Sequence, residues 1–278
     1  MTPPLFRVDI VPSEGSELVL EGPEGRHAGS ALRLAPGEML RAGDGRGTVA
    51  DCEVTAVASG CVTSTVKRLV TVPPSRPRVT VVQALPKSDR SELAVELATE
   101  AGVDRIVPWQ AERCVSRWNG PKLAKGHAKW QSAARAAAKQ SRRAYEPQIL
   151  APSSTADLVS FVREIVDGGG LVCILHEGAS EPLAEVVSPW WAAAGDDEPR
   201  ELIFVVGPEG GVSDAEIDVL RENGARAVVL GPEVLRTSTA AAVALGAFSV
   251  LTGRWAAGAS TLSHTGGRTD QPGSDCSK

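Results

Sequence analysis

Short apolar stretches alternate with glycine, proline and aspartate turns through the first 72 residues, a pattern typical of β-strands. Between two of these stretches, the GDGRG segment at residues 43–47 is a strong hairpin signal. Many short strands with close punctuation predict a small β-barrel. The predicted strands cover residues 5–10, 18–20, 39–40, 49–57 and 61–72.

The pattern changes after a proline-rich connector that contains Pro73, Pro74 and Pro77. Clustered prolines favour an extended, stiff segment, which indicates a domain boundary. We therefore predict a β-barrel domain at residues 1–72 and a second domain at 73–257. Residues 258–278 are small and polar without any period, and we predict that they form a disordered tail.

In the second domain, nearly continuous apolar runs alternate with helical patterns. Ser213 and Glu216 form a capping box at the start of a helix of about ten residues, and Gly224 follows as its stop. Asp89 and Glu92 give a similar signal for an earlier helix, and an alanine-rich helix is predicted at about 238–251. The alternation predicts an α/β fold with a mostly parallel sheet. The predicted strands are 78–85, 106–107, 171–176, 201–206 and 226–230.

Composition places the chain among ordinary globular proteins and excludes several functional classes. Its 278 residues are 42% hydrophobic and 23% charged, and the net charge of −5 excludes a wholly basic nucleic-acid coat protein. No apolar run reaches the roughly 20 residues of a membrane helix, and the N-terminus lacks the pattern of a secretory signal. The five cysteines are scattered without a CxxC, and the four histidines lie far apart. These spacings predict no metal site and a reducing cytoplasm.

One strongly basic segment interrupts this acidic chain. Residues 122–143 carry seven positive charges and no acidic residue. A basic helix is usually a solvated face, but a cation density without any acid favours contacts with phosphates. The cations are Lys122, Lys125, Lys129, Arg135, Lys139, Arg142 and Arg143.

Three predicted strands end in unusual turns. They lead into GPEGG at 207–211, into GPEVLRTST at 231–239 and into His176-Glu177. Tight turns and hydroxyl caps would explain each turn alone, but in open α/β sheets ligands bind beyond the carboxyl ends of the strands. Neither glycine-rich turn matches a dinucleotide or triphosphate motif. The three turns together predict a ligand site without a triphosphate.

Together these segments resemble the RsmE-type 16S rRNA uridine-N3 methyltransferases of the SPOUT superfamily. The most specific feature is the pair formed by GPEGG at 207–211 and LGPEVLRT at 230–237. The similarity extends over nearly the whole chain up to Trp255. Further matching segments are His27 with ALR (31–33), GE (37–38), DGRG (44–47), LPK (85–87), EAGV (100–103), ERC (112–114), AKQSRR (138–143) with Pro147, and HE (176–177).

The resemblance implies a small PUA-like β-barrel for RNA, followed by a SPOUT-type α/β domain whose chain forms a deep trefoil knot. Its implied activity is transfer of a methyl group from S-adenosylmethionine to N3 of a uridine (family site U1498) in the 16S rRNA of the small ribosomal subunit. It also implies a homodimer. No metal or membrane takes part.

The resemblance also implies roles for individual residues. Arg236 is the candidate that stabilises the uridine anion or holds an RNA phosphate, and Glu209 is the candidate that orients the site. Ser238 stands where family members commonly have glutamate, so no role of that glutamate is transferred. The implied cofactor-binding residues are Leu175, His176, Gly207, Pro208, Gly210, Gly211, Leu230, Gly231, Leu235, Arg236 and Thr237. The implied RNA-binding residues are Arg33, Lys87, Arg113, Lys129, Lys139, Gln140, Arg142 and Arg143.

Two alternatives remain at this level. The first is a SPOUT methyltransferase with a different RNA target or with a ribose 2′-OH as acceptor. The second is a non-catalytic RNA-binding protein that acts in ribosome assembly. Affinity for S-adenosylmethionine separates the second alternative from the enzymes, and the product nucleoside separates the enzymes from each other.

Overall fold

The computed structural model describes residues 3–87, 90–193 and 200–256, which form two β-sheets with helices packed against them. Asp89 and the predicted tail at 258–278 lie outside these residues. In the described part of the chain, no helix has both the length and the apolar character needed to cross a membrane. That same part contains no group of three or more histidine, cysteine or acidic side chains placed to hold a metal.

The first sheet contains all five strands predicted for the N-terminal region. Its order is β1-β3-β4-β5-β2, and register shifts in the long β4–β5 pair mark bulges that bend the strands. A short helix and a π-helical turn (His27–Ala31), neither of which was predicted, follow β2. The elements are β1 Leu5–Arg7, β2 Glu17–Leu20, α1 Gly22–Arg26, β3 Met39–Gly43, β4 Thr48–Ala58 and β5 Cys61–Thr71.

Among the described residues, the second sheet has seven strands in the order β10-β12-β9-β11-β6-β7-β8, and every pairing is parallel. In the central strand β11 every residue after Glu201 is buried, so both faces of the sheet are covered. This confirms the predicted parallel α/β architecture. The strands are β6 Arg78–Ala84, β7 Arg105–Trp109, β8 Gln148–Ile149, β9 Leu171–Leu175, β10 Glu181–Pro182, β11 Glu201–Val206 and β12 Arg226–Val229.

Six helices in the described part of the chain pack with this sheet, and the predicted capping boxes can be compared with their starts. Ser213 and Glu216 form the predicted reciprocal cap of α6. Helix α2 begins at Ser91 with Arg90 at its N-cap and no side-chain cap there, and the predicted cap Asp89 lies outside the described residues. The helices are α2 Ser91–Glu100, α3 Pro121–Gln140, α4 Thr155–Asp167, α5 Leu183–Ala192, α6 Asp214–Glu222 and α7 Thr237–Leu251.

A partly buried carboxylate, Asp104, holds together the amino-terminal edge of this sheet. Arg254 donates through Nη2 to both carboxylate oxygens of Asp104, at 2.9 and 3.0 Å, and to the carbonyl of Gly102 at 2.9 Å. The backbone N–H of Val79 donates to Asp104 Oδ2 at 2.8 Å, and the Arg143 guanidinium lies 3.9 Å from Oδ1. One carboxylate thus pairs with Arg254 and lies near a second largely buried cation, Arg143.

Replacing Asp104 with asparagine keeps the side-chain shape but leaves Arg254 and Arg143 without this counterion. We expect the free energy of unfolding to fall by about 2–4 kcal/mol, measured by urea denaturation. Glu53→Gln is the control, because its pair with Lys67 is exposed and should contribute less than about 1 kcal/mol. Equal losses in the two variants would contradict this role for Asp104.

Candidate active site

A cleft opens at the carboxyl ends of β9, β11 and β12, where the three unusual turns were predicted to meet. It consists of two adjoining cavities that share Glu177, Val234 and Leu235. Predicted cofactor residues line both cavities, which confirms that the strand-end turns come together. The first cavity contains Leu175, His176, Leu230, Gly231 and Leu235, and the second contains Pro208, Gly211, Leu235, Arg236 and Thr237.

The segment after β12 crosses the carboxyl ends of several strands in succession. Its first residues face the end of β9 across the first cavity, and Val234 to Ser238 face the turn after β11 across the second. The Gln83 side chain at the end of β6 then donates through Nε2 to the carbonyl of Thr237 at 3.5 Å. One chain segment therefore forms the roof of the whole cleft.

A glycine-rich loop (residues 207–212) forms one wall of the second cavity. The N–H of Gly211 donates to the carbonyl of Pro208 at 2.9 Å, and Gly211 has a positive φ of +72°. Neither Gly207 nor Gly210 lines the described cavities, although both were predicted to bind cofactor. A Cβ atom at Gly207 would lie 2.8 Å from Val212 Cγ2, so this glycine serves the closure of the turn.

The opposite wall contains a glycine with space in front of it. The nearest atom to a Cβ built at Gly231 is Glu233 Oε2, at 3.7 Å, and Gly231 lines the first cavity. Partly buried leucines at 175, 230 and 235 extend the sheet core toward this position. The first cavity therefore offers apolar walls and exposed backbone to a ligand.

Two arginines, Arg90 and Arg236, and two carboxylates, Glu177 and Glu209, line the second cavity. Arg236 is the N-cap residue of α7, and its guanidinium has no carboxylate within ion-pair distance among residues 3–87, 90–193 and 200–256. The first turn of α7, which includes Ser238, contains no acidic residue. Arg236 and the positive end of the helix dipole thus act in the same direction, and both favour an anion.

Glu209 has a structural partner in this cleft. Its Oε1 accepts from the backbone N–H of Lys87 at 3.1 Å, so it joins the glycine-rich loop to the loop that follows β6. The sequence argument overlooked Arg90 and gave no role to Glu177, although both line the second cavity. Glu177 directly follows β9, so its position at a strand end was the available signal.

The residues predicted to bind RNA divide into two groups. Arg33, Lys87, Lys129, Gln140 and Arg142 are exposed. Arg113 is also exposed but donates to the carbonyl of Gly210, whereas Lys139 and Arg143 are half-buried and make contacts within the protein. The prediction of RNA contacts thus rests on fewer available cations than the sequence indicated.

Lys139 and Arg143 link the two sheets rather than extending into solvent. Lys139 Nζ lies 2.7 Å from both carboxylate oxygens of Glu24 in the first domain. Arg143 donates to the carbonyl of Thr99 at 2.8 Å, its own carbonyl accepts from Arg7 at 2.9 Å, and burial lowers its pKa to about 10. Residues 122–143 contain no acidic side chain, but folding brings distant carboxylates such as Glu24 and Asp104 next to their cations.

Helix α3 nevertheless connects the cleft edge of the sheet with the first domain. Lys129 pairs with Glu92 at the start of α2, at the carboxyl edge of the sheet, while Lys139 pairs with Glu24. Lys122 and Lys125 lie in the exposed first turns of α3. A basic helix surface therefore runs between the two regions.

Comparisons with known proteins agree with this geometry. Residues 73–249 match the RNA methyltransferase domain family, and residues 20–63 match the RNA methyltransferase PUA domain family. The ribosomal RNA small subunit methyltransferase E of Mycobacterium tuberculosis is 52% identical over 256 residues, which are 92% of this chain and 95% of that protein.

Two solved structures share the fold over nearly their whole length. The ribosomal RNA small subunit methyltransferase E of Neisseria gonorrhoeae, bound to S-adenosyl methionine, has a TM-score of 0.75 and 25% identity, covering 90% of this chain and 98% of that one. A Legionella pneumophila methyltransferase in complex with SAM has a TM-score of 0.73 and 28% identity over the same shares. These matches confirm a PUA-like domain ahead of a SPOUT-type α/β domain. The chain belongs to the ribosomal RNA small subunit methyltransferase E family.

Proposed function

We propose that this protein transfers a methyl group from S-adenosylmethionine to N3 of a uridine in the 16S rRNA of the small ribosomal subunit. The observation that carries the proposal is Arg236, which has no ion-pair partner among the described residues and lies at the positive end of α7, beside a cleft with a glycine-rich wall. The family relationship supports the reaction class, and the charge at the cleft supports an acceptor that becomes an anion.

The first cavity fits the cofactor in chemical terms. Leu175, Leu230 and Leu235 offer apolar walls to an adenine ring, and the open space at Gly231 allows close approach to backbone. S-adenosylmethionine carries no phosphate, so a phosphate-binding loop is not required. When bound, it supplies an electrophilic methyl group on a sulfonium.

The second cavity suits the uridine together with the sulfonium end of the cofactor, because the methyl group must lie against N3 and the two cavities adjoin. Methylation at N3 requires loss of the N3 proton to water, which leaves negative charge on the ring. Arg236 and the N-terminus of α7 stabilise that charge and lower the pKa of N3. Glu209 holds the glycine-rich loop against residues 86–87, which helps to keep the two cavities aligned. Preorganised positive charge together with positioning would supply much of the rate.

The RNA would reach this cleft along α3 from the PUA-like domain. Exposed Lys122, Lys125 and Lys129 lie toward the cleft edge, and exposed Arg142 lies beyond the other end of the helix. Contacts of this kind bind phosphates without reading sequence.

We also propose a homodimer with a knotted methyltransferase domain that acts in the cytoplasm. Exposed apolar residues on α7 support dimerisation, with Val243 42% and Val250 71% exposed. The crossing of the cleft by residues 230–238 supports the knot, because the chain returns over strands that precede it in sequence.

The decisive test incubates the protein with labelled S-adenosylmethionine and small ribosomal subunits that lack the modification, followed by nucleoside analysis. We expect 3-methyluridine from the wild type and at least a ~100-fold lower kcat from a folded Arg236→Ala variant. A different methylated nucleoside would replace the substrate assignment. Full activity in the variant would contradict the role of Arg236.

Gly231→Val tests the cofactor cavity directly. The new side chain meets no protein atom closer than ordinary contact distance at Cβ, and the following proline favours the extended backbone that valine prefers. We therefore expect a nearly unchanged Tm but at least a ~10-fold weaker affinity for S-adenosylmethionine, measured by calorimetry, because the side chain fills the cavity. Unchanged affinity would show that the ligand binds elsewhere.

Charge reversal on α3 tests the RNA path. Lys122→Glu with Lys125→Glu should weaken binding of 16S rRNA about 10-fold at 0.1 M salt and reduce the salt dependence, while cofactor affinity is unchanged. The matched control is Arg163→Glu with Arg221→Glu on α4 and α6, which makes the same change in net charge. An equal loss of rRNA affinity in the control would show that net charge, rather than the position of the lysines on α3, causes the effect.

A further inference from the structure

Arg113 lies in the segment between β7 and α3, and its guanidinium contacts the glycine-rich loop. Nη1 donates to the carbonyl of Gly210 and to the carbonyl of Val212, each at 3.3 Å. The two carbonyls flank Gly211, whose φ of +72° bends the backbone between them. A single donor group therefore spans the sharpest bend of the loop.

The stem of the same side chain packs on the loop. A Cβ built at Gly210 would lie 3.2 Å from Arg113 Cβ and 3.8 Å from its Cδ. Gly210 does not line the cavities, and contact with the Arg113 side chain explains why a small residue is needed there. The loop is held by a packing contact as well as by the hydrogen bonds.

The segment that carries Arg113 is itself anchored on both sides of the loop. The N–H of Glu112 donates at 2.8 Å to Glu216, the buried cap of α6, which follows the loop. Ser116 Oγ donates at 2.8 Å to the carbonyl of Pro86, next to the residue whose N–H binds Glu209. The segment that carries Arg113 is therefore held both to α6, which follows the loop, and to the residues after β6.

We propose that Arg113 is a positioning residue that holds the glycine-rich loop in the shape that receives the cofactor and uridine. This inference rests on the proposed function, because it takes the adjoining cavities as the sites of S-adenosylmethionine and the base. It gives Arg113 a role different from the phosphate contact that the family resemblance implied. The planar guanidinium can serve two carbonyls at once from a rigid side chain, whereas lysine presents a flexible point charge.

The test measures binding of S-adenosylmethionine, steady-state kinetics and amide hydrogen exchange for the full-length Arg113→Lys and Arg113→Gln variants. We expect both to weaken cofactor binding about 10-fold and to accelerate exchange at residues 208–212. Arg113→Lys should keep most of its RNA affinity, since the charge remains. Arg117→Gln is the matched control, because Arg117 is exposed on the same segment and donates only to the carbonyl of Glu112 among described residues.

Two results would overturn the inference while leaving the proposed function intact. In the first, both variants bind S-adenosylmethionine as the wild type does and lose only RNA affinity, which would make Arg113 a phosphate contact. In the second, exchange rises across the whole second sheet and Tm falls, which would make its role purely structural. If the wild type itself binds no S-adenosylmethionine, the proposed function fails and this inference with it.

Discussion

The parallel arrangement of the seven-stranded sheet is the constraint on which the rest of the structure depends. Parallel strands bring all their carboxyl ends to one edge, and the order β12-β9-β11-β6 makes the chain return across that edge after β12. The cleft is therefore a consequence of topology, with the glycine-rich loop as one wall and residues 230–238 as its roof. The strand-end turns, which are far apart in sequence, become neighbours because they share this edge.

The distribution of charge gives the two ends of this domain different properties. At the amino-terminal edge, Asp104 forms an ion pair with Arg254 and lies 3.9 Å from the Arg143 guanidinium. The cations there therefore stabilise the fold and the contact with the first domain. At the carboxyl edge, Arg236 has no such partner among the described residues and coincides with the positive end of α7. An acidic protein can thus present a local site for an anion, because pairing rather than net charge decides which arginines remain available.

Much of the architecture could be read from local patterns. Apolar runs predicted the long strands of both sheets, and Ser213 with Glu216 predicted the start of α6, because capping and burial act over a few residues. The helices at 155–167 and 183–192 and the turn at 27–31 were not predicted. All the residues predicted to bind the cofactor line the cleft except Gly207 and Gly210, where a Cβ atom would meet Val212 and Arg113; that these residues bind the cofactor stays a prediction.

The sequence by itself determined the strand–helix alternation, the glycine-rich turns and the family, since each is encoded by residues close together or by a specific spacing. Only the tertiary structure decided which cations remain free. It pairs Lys139 with Glu24 across 115 positions and places the Arg113 guanidinium on the carbonyls of Gly210 and Val212. Such pairings depend on which surfaces meet when the sheet is assembled, and a linear pattern of charges carries no information about those distances.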